Sequence, residues 1–527
     1  MTEPSGPGPV TLSHARSTLA DAGVILAGAA VTVVLAAALS RRPAQGLSLL
    51  AVFALVAVVA LNRRRIASAR LGAVLAAALV VLPAVGLLGP AAALPSQPQL
   101  TLYRLLLAAI VFVGVTYLVV LRDPLPFAAK DVALPVVLWF AWLFVGLLWA
   151  GDKASALNYI AIVVTMMALL FATAACGGSR RRLRAFGYLM IGAYALITGY
   201  AVFELATGIH LPFSKQATVA TVQQFNIATS VFVNQNDLAT YLSICWPFLL
   251  AAFFFTRKVG WLVVDVAFIV LAGPVFLSTG SRSSLIAAGI ATVGAVVLYA
   301  RLGARLSTRS GKIVGIAAAV AIVALGGFLL FNDSQSPLLN QFRLQTLLSQ
   351  ASSGAGSGAI RSDLTSQGLE IAGRSLLLGA GAGQAEHIIA QGAGALGITN
   401  LHNWWLETYA DGGLVGFVLQ AGFFVLLIAA LWPIARRGPD AFVRYLAGGT
   451  LLALIGFTVG SLGPSSSVGF APMWVMYGLG LAVVSRARLR AADARGPAAA
   501  TSARNPAAAE GTGLTAVAAD ARPETRA

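Results

Sequence analysis

The chain has 527 residues, 58% of them hydrophobic and only 10% charged, with a mean hydropathy of +0.83. That much apolar surface cannot be enclosed in one water-soluble core, which excludes an ordinary soluble domain and implies a polytopic membrane protein. The formal net charge of +17 does not argue for nucleic acid, because the cations sit in short connections where cytoplasmic loops of membrane proteins collect them.

Crossing the hydrocarbon takes roughly 20 apolar residues per helix. Approximate runs of this kind are 22–40, 47–61, 71–88, 103–121, 133–150, 155–175, 185–205, 236–255, 260–277, 282–300, 312–331, 412–432, 442–461 and 467–485, with 47–61 the shortest. They predict an all-α helix bundle of about 12–14 transmembrane helices with one large extracytoplasmic helical loop. Residues 1–21 form a tail containing Glu3 and few cations, and the first run is long for a cleaved signal, so it is read as an uncleaved helix. Arg63 to Arg65 and Arg70, Arg122 and Lys130, Arg180 to Arg182 and Arg184, Arg257 and Lys258, Arg301, Arg305, Arg309 and Lys312, and Arg436, Arg437 and Arg444 fall in alternate connections. Arg41 and Arg42 break the alternation. The pattern puts both termini in the cytoplasm.

After the helices of 22–331, residues 332–411 are too polar to span and too long for a simple connection, which marks a functional segment; the alternation places it outside. Within it, 336–350 and 360–373 carry apolar residues at helical spacing, "ASSGAGSGA" is a hinge, and Gly379, Gly381 and Gly383 predict a turn. Those glycines lie in no strand-turn-helix unit, so a dinucleotide motif is rejected. Residues 412–485 hold the C-terminal membrane helices, and the Ala- and Pro-rich stretch 486–527 is expected to be a disordered cytoplasmic tail. Cys176 and Cys245 suggest neither a disulfide framework nor a metal cluster, so no metal and no cofactor are expected.

In "TNLHNWWLETYADGGLVGF" (399–417), Asn400 is the expected N-cap, 401–410 a short helix, and Gly412 and Gly413 its end. His402 then lies in the first turn, where the helix dipole disfavours imidazolium and leaves a neutral ring able to accept a proton. Trp404, Trp405 and Tyr409 suit a membrane interface. A lone His beside interfacial aromatics is more often a packing residue than a catalyst. Two arginines shift the balance. Arg282 stands at the outer end of a helix after Gly280, among the hydroxyls of Ser278, Thr279, Ser281, Ser283 and Ser284; such a cluster does not shield a snorkelling stem but lets an anion approach closely. Arg361 supplies a second guanidinium on the same side. Two such forks and a neutral base suit a diphosphate leaving group and a hydroxyl nucleophile.

Four stretches together resemble the O-antigen ligase and polymerase superfamily of polytopic bacterial glycosyltransferases: "FVNQNDLATYL" (232–242), "LSTGSRSSLIAAG" (277–289), Arg361 ahead of "SLLLGAGAGQ" (375–384), and "LHNWWLETYADGGLVGFVL" (401–419). The resemblance covers about residues 200–485. It implies an inner-membrane enzyme with its site on the extracytoplasmic face. Arg282 and Arg361, with Ser281 beside them, would grip the diphosphate of an undecaprenyl-linked glycan donor, and His402 would activate the hydroxyl of a glycan or lipid acceptor. Asn236 matches a recurrent family position. Like the C-type glycosyltransferases, such an enzyme inverts at the sugar without a metal. Ligase and polymerase share these motifs, and sugar identity and oligomeric state are not encoded in them. Arg343, Arg374 and His387 are rival loop candidates, His210 has no motif around it, and His14 lies in the N-terminal tail. The rival class is a secondary transporter using Asp265, Asp237 and Glu204, against which stands the lack of paired broken halves.

Overall fold

The computed structural model describes residues 127–255 except 213 and 219–226, 259–302, 357–392, and 399–504 except 439 and 465–467, with isolated positions between 77 and 101 and at 345 and 349. The runs expected at 22–40, 47–61, 103–121 and 312–331, the helix expected at 336–350, and Arg343 lie outside the described residues, apart from the helical positions 345 and 349.

Apart from the short antiparallel pair β1 (Ala93–Leu94) and β2 (Gln97–Thr101), the described chain is helical. The helices are α1 (Lys130–Gly146), α2 (Lys153–Ala175), α3 (Arg180–Thr207), the single turn α4 (Lys215–Thr218), α5 (Gln235–Phe255), α6 (Val259–Thr279), α7 (Arg282–Leu302), α8 (Ser357–Arg374), α9 (Gln384–Gly392), α10 (Trp404–Arg437), α11 (Ala441–Gly460) and α12 (Ala471–Arg504). Six spans among the described residues are long and apolar enough to cross a membrane, in α2, α3, α6, α7, α10 and α11. The protein is an all-α polytopic membrane protein.

Helix boundaries follow local chemistry. Asp152 opens α2 by accepting the amides of Ala154 and Ser155, each at 3.1 Å, and Ser179 opens α3 through Arg182 N at 3.1 Å. Gly208, with φ 70°, closes α3 in the left-handed conformation that suits glycine. α12 runs on to Arg504, so helix replaces the disordered tail expected over 486–504; alanine, the best helix former, dominates that stretch.

α11 is the central helix, packed against α5, α7, α10 and α12. In a membrane, helices associate through close packing of small residues. Gly456 and Gly460 of α11, spaced as GxxxG, face Ala287 of α7, and a Cβ on Gly456 would come within 2.9 Å of the Ala287 carbonyl. Alternating helix directions collect Arg180 to Arg184, Arg436, Arg437, Arg444, Arg488 and Arg490 at one end of the bundle. The other end carries the starts of α5 and α7, the end of α11, and α8 with α9.

Candidate functional site

The platform of the site is a broken helix. α10 is two helices joined at Gly413, whose φ of 62° and ψ of −166° are non-helical, so the ending expected at Gly412 and Gly413 is present. Breaking a helix frees backbone groups that lipid cannot satisfy. Here the glycine loop satisfies them: Ala380 N and Gly381 N donate to the carbonyls of Ala410 and Asp411 at 2.8 and 3.0 Å, and Leu414 N and Val415 N donate to Leu376 and Leu377 at 2.9 and 3.4 Å. Trp142 Nε1 donates to Gly412 O at 2.8 Å and Trp149 Nε1 to Gly379 O at 3.1 Å. Gly379, Gly381 and Gly383 all have positive φ, as the predicted turn requires, and a Cβ on Gly379 would collide with the backbone at Asp411 and Gly413. The buried carboxylate of Asp411 accepts the Ala385 amide at 2.8 Å and opens α9. Its role is structural, and the sequence reading assigned it none.

His402 stands just before this platform. The N-cap is Asn403, whose side chain accepts Leu406 N at 3.2 Å, not Asn400. His402 therefore precedes the helix instead of lying in its first turn, and takes φ 48°, a left-handed conformation uncommon outside glycine. Its Nδ1 lies 3.0 Å from the carbonyl of Pro464. A carbonyl only accepts, so Nδ1 carries the hydrogen and Nε2 of the neutral ring keeps its lone pair. Burial pushes His402 below the usual imidazole range; the Pro464 and Gly463 carbonyls oppose this, and the positive charges of Arg361 and Lys215 add to it. Neutrality thus comes mainly from burial and neighbouring cations, not from a helix dipole.

Arg361 is placed by the amphipathic face of α8. Leu364, Gly368 and Ile371 follow it at helical spacing, and Leu364 and Ile371 are buried with Leu401 and Leu406. Gly368 is so close to Leu401 and Leu406 that a Cβ would lie 2.8 Å from each. Arg361 is thereby held within electrostatic reach of His402 and of Arg282, whose charge joins burial in lowering the Arg361 pKa. Arg374, at the other end of α8, forms an exposed pair with Glu370 at 2.6 Å, so of these two arginines the one whose charge reaches His402 is Arg361.

Asn236 and Ser281 belong to the same end. Thr240 Oγ1 donates to Asn236 O at 2.8 Å and lies 3.4 Å from Ser284 Oγ, which is 3.0 Å from Ser281 Oγ. The Gly463–Pro464 turn rests on this hydroxyl cluster, since a Cβ on Gly463 would meet Thr240 Oγ1 at 2.9 Å and Ser283 Oγ at 3.1 Å. One turn therefore connects the imidazole, through Pro464, to the starts of α5 and α7.

Other candidates have different tasks. Glu204, fully buried, accepts Thr229 N at 2.9 Å, bonds the Ser230 amide and meets His210 Nδ1 at 3.1 Å. This fixes the loop that carries Lys215, whose amide donates to Val233 O at 3.0 Å. His387 joins α9 to α2 through Ser155 at 3.3 Å and is bonded by Gln391 at 2.9 Å. Trp404 is 2% exposed and packs on Phe457, Trp474 and Tyr477, so it is a core residue and not an interfacial one. Sequence reasoning missed Lys215 and Pro464. The only signal for Pro464 was a Gly-Pro pair after a helix, and for Lys215 a cation in an otherwise cation-poor connection.

Residues 267–421 match the family described as O-antigen ligase. Over that region the chain is similar to O-antigen ligases. The matched region spans Arg282, Arg361 and His402. The chain is also 26% identical over 397 residues to the teichuronic acid biosynthesis protein TuaE of Bacillus subtilis (strain 168), covering 73% of this chain and 79% of that protein. Both similarities support a membrane enzyme of cell-surface polysaccharide biosynthesis.

Proposed function

We propose that this protein transfers a glycan from an undecaprenyl diphosphate carrier to the hydroxyl of a glycan or lipid acceptor, at the extracytoplasmic face of the inner membrane. The observation that carries the reading is the neutral imidazole of His402, donating from Nδ1 to Pro464 with Nε2 left to accept a proton, in the company of Arg361 and, through it, Arg282. Nε2 takes the acceptor proton as the hydroxyl oxygen attacks the anomeric carbon. The bond from that carbon to the diphosphate breaks, and its electron pair leaves with the diphosphate. Attack opposite the leaving group inverts the sugar. Arg282 and Arg361 stabilise the charge that gathers on the departing diphosphate, which makes metal assistance unnecessary. Ser281 and Asn236, joined through the Thr240 and Ser284 hydroxyls at the same end of the bundle, serve as polar contacts for the substrate. The positive-inside rule supports a cytoplasmic position for the cationic end of the bundle, and with it an extracytoplasmic one for His402.

The test is transfer from a synthetic polyprenyl diphosphate glycan by protein reconstituted in liposomes. His402→Ala is expected to lower turnover by about 10² to 10⁴, the usual contribution of a positioned base. Undiminished turnover by that variant would remove the base from the mechanism.

A further inference from the structure

At the end of the bundle away from His402, α3, α5, α6 and α11, with Arg490 of α12, line an open cavity of about 630 Å³. It continues into a second of about 360 Å³, and Arg184, Tyr188, Phe268 and Tyr445 line both. Sites for small ligands span roughly 300–1,000 Å³. Asp265 of α6 lines the larger cavity and is separated from Thr279 at the other end of the helix by fourteen residues, about 21 Å of axial rise. The cavity is therefore distinct from the site around His402.

Its walls are apolar and aromatic, with charges of both signs. Arg180 Nε lies 3.3 Å from Asp440 Oδ2, which Arg490 also bonds at 2.8 Å. Arg184 stands over the Phe442 ring at 5.8 Å. Asp265 is 7% exposed, and its Oδ2 is buried with no hydrogen-bond partner among the described residues. A carboxylate at membrane depth is costly and normally meets a cation or a polar ligand. Arg184 lies four residues into α3 and Asp265 six into α6, about 6 and 9 Å from the respective helix starts. A guanidinium and a carboxylate thus stand at similar depth over an aromatic slot.

We infer that this cavity binds a zwitterionic aminophospholipid, its ammonium on Asp265, its phosphate on Arg184 and Arg180, and an acyl chain along the slot lined by Leu249 and Phe268. The charges select the headgroup. An anionic lipid without an amine would set its negative charge against Asp265, and a choline headgroup carries no N–H to satisfy the buried oxygen.

The test is native mass spectrometry of the full-length protein in detergent, titrated separately with phosphatidylethanolamine, phosphatidylcholine and phosphatidylglycerol, with thermal unfolding followed in parallel. Phosphatidylethanolamine is expected to be retained most strongly, and Asp265→Asn to weaken it by at least about tenfold without a comparable effect on phosphatidylcholine. Arg184→Gln is expected to weaken the same adduct, and Arg181→Gln, outside the lining, to leave it unchanged. Equal retention of the three lipids, preference for phosphatidylglycerol, or an unaltered adduct in either Asp265→Asn or Arg184→Gln would overturn the proposal.

Discussion

The imidazole of His402 gains its chemistry from three neighbours. Pro464 fixes which nitrogen carries the hydrogen, while burial and the charges of Arg361 and Lys215 keep the ring neutral. Because its folded pKa lies below the ordinary value of about 6.5, a base at this position stays competent into mildly acidic solution. The acid limb of a pH–rate profile is thus expected below that value. Lys215→Gln removes one of the charges that disfavour imidazolium, so it should move the acid limb toward higher pH. A limb that does not move, or moves down, contradicts the placement of Lys215. The motif singled out His402 for the proposed role, but its conformation was not legible. Asn400 and Asn403 are equally good caps by type, and only the bond from Leu406 N to the Asn403 side chain separates them.

Elements carry the site by mutual docking. The break at Gly413 and the loop at 376–381 exchange four backbone hydrogen bonds, and neither conformation is stable in lipid without the other. Gly379→Ala introduces a side chain at positive φ, costing about 1–2 kcal/mol, and also a collision with the backbone at Asp411 and Gly413. It is expected to lower the thermal midpoint and abolish transfer. Asp411→Ala removes the carboxylate that opens α9, a loss of about 0.5–2 kcal/mol; a melt of the purified variant measures it. The glycines themselves were readable from the sequence as a turn. Their partner was not, because four long-range backbone bonds leave no periodic trace. The amphipathic pattern of 360–373 did foretell α8, since Leu364 and Ile371 repeat at helical spacing and bury one face.

For the whole molecule, composition alone fixed the class, because 58% hydrophobic residues have no aqueous solution. Cation alternation also foretold the grouping of Arg180 to Arg184 with Arg436, Arg437 and Arg444 at one end. What stayed hidden was the means of assembly: the Gly463–Pro464 turn that holds His402 packs on hydroxyls of α5 and α7, far away along the chain. The same bundle separates the two ends, so Asp265→Asn is expected to leave transfer by the purified protein unchanged; a transfer assay on that variant checks the separation.

The most direct test of the proposed chemistry compares donor binding with turnover for His402→Ala, Arg282→Ala and Arg361→Ala, using one polyprenyl diphosphate glycan. The expected result is that His402→Ala binds the donor like the unaltered protein but does not transfer it, while each arginine variant binds it more weakly. Donor binding unchanged in both arginine variants, or transfer at full rate without His402, would contradict it.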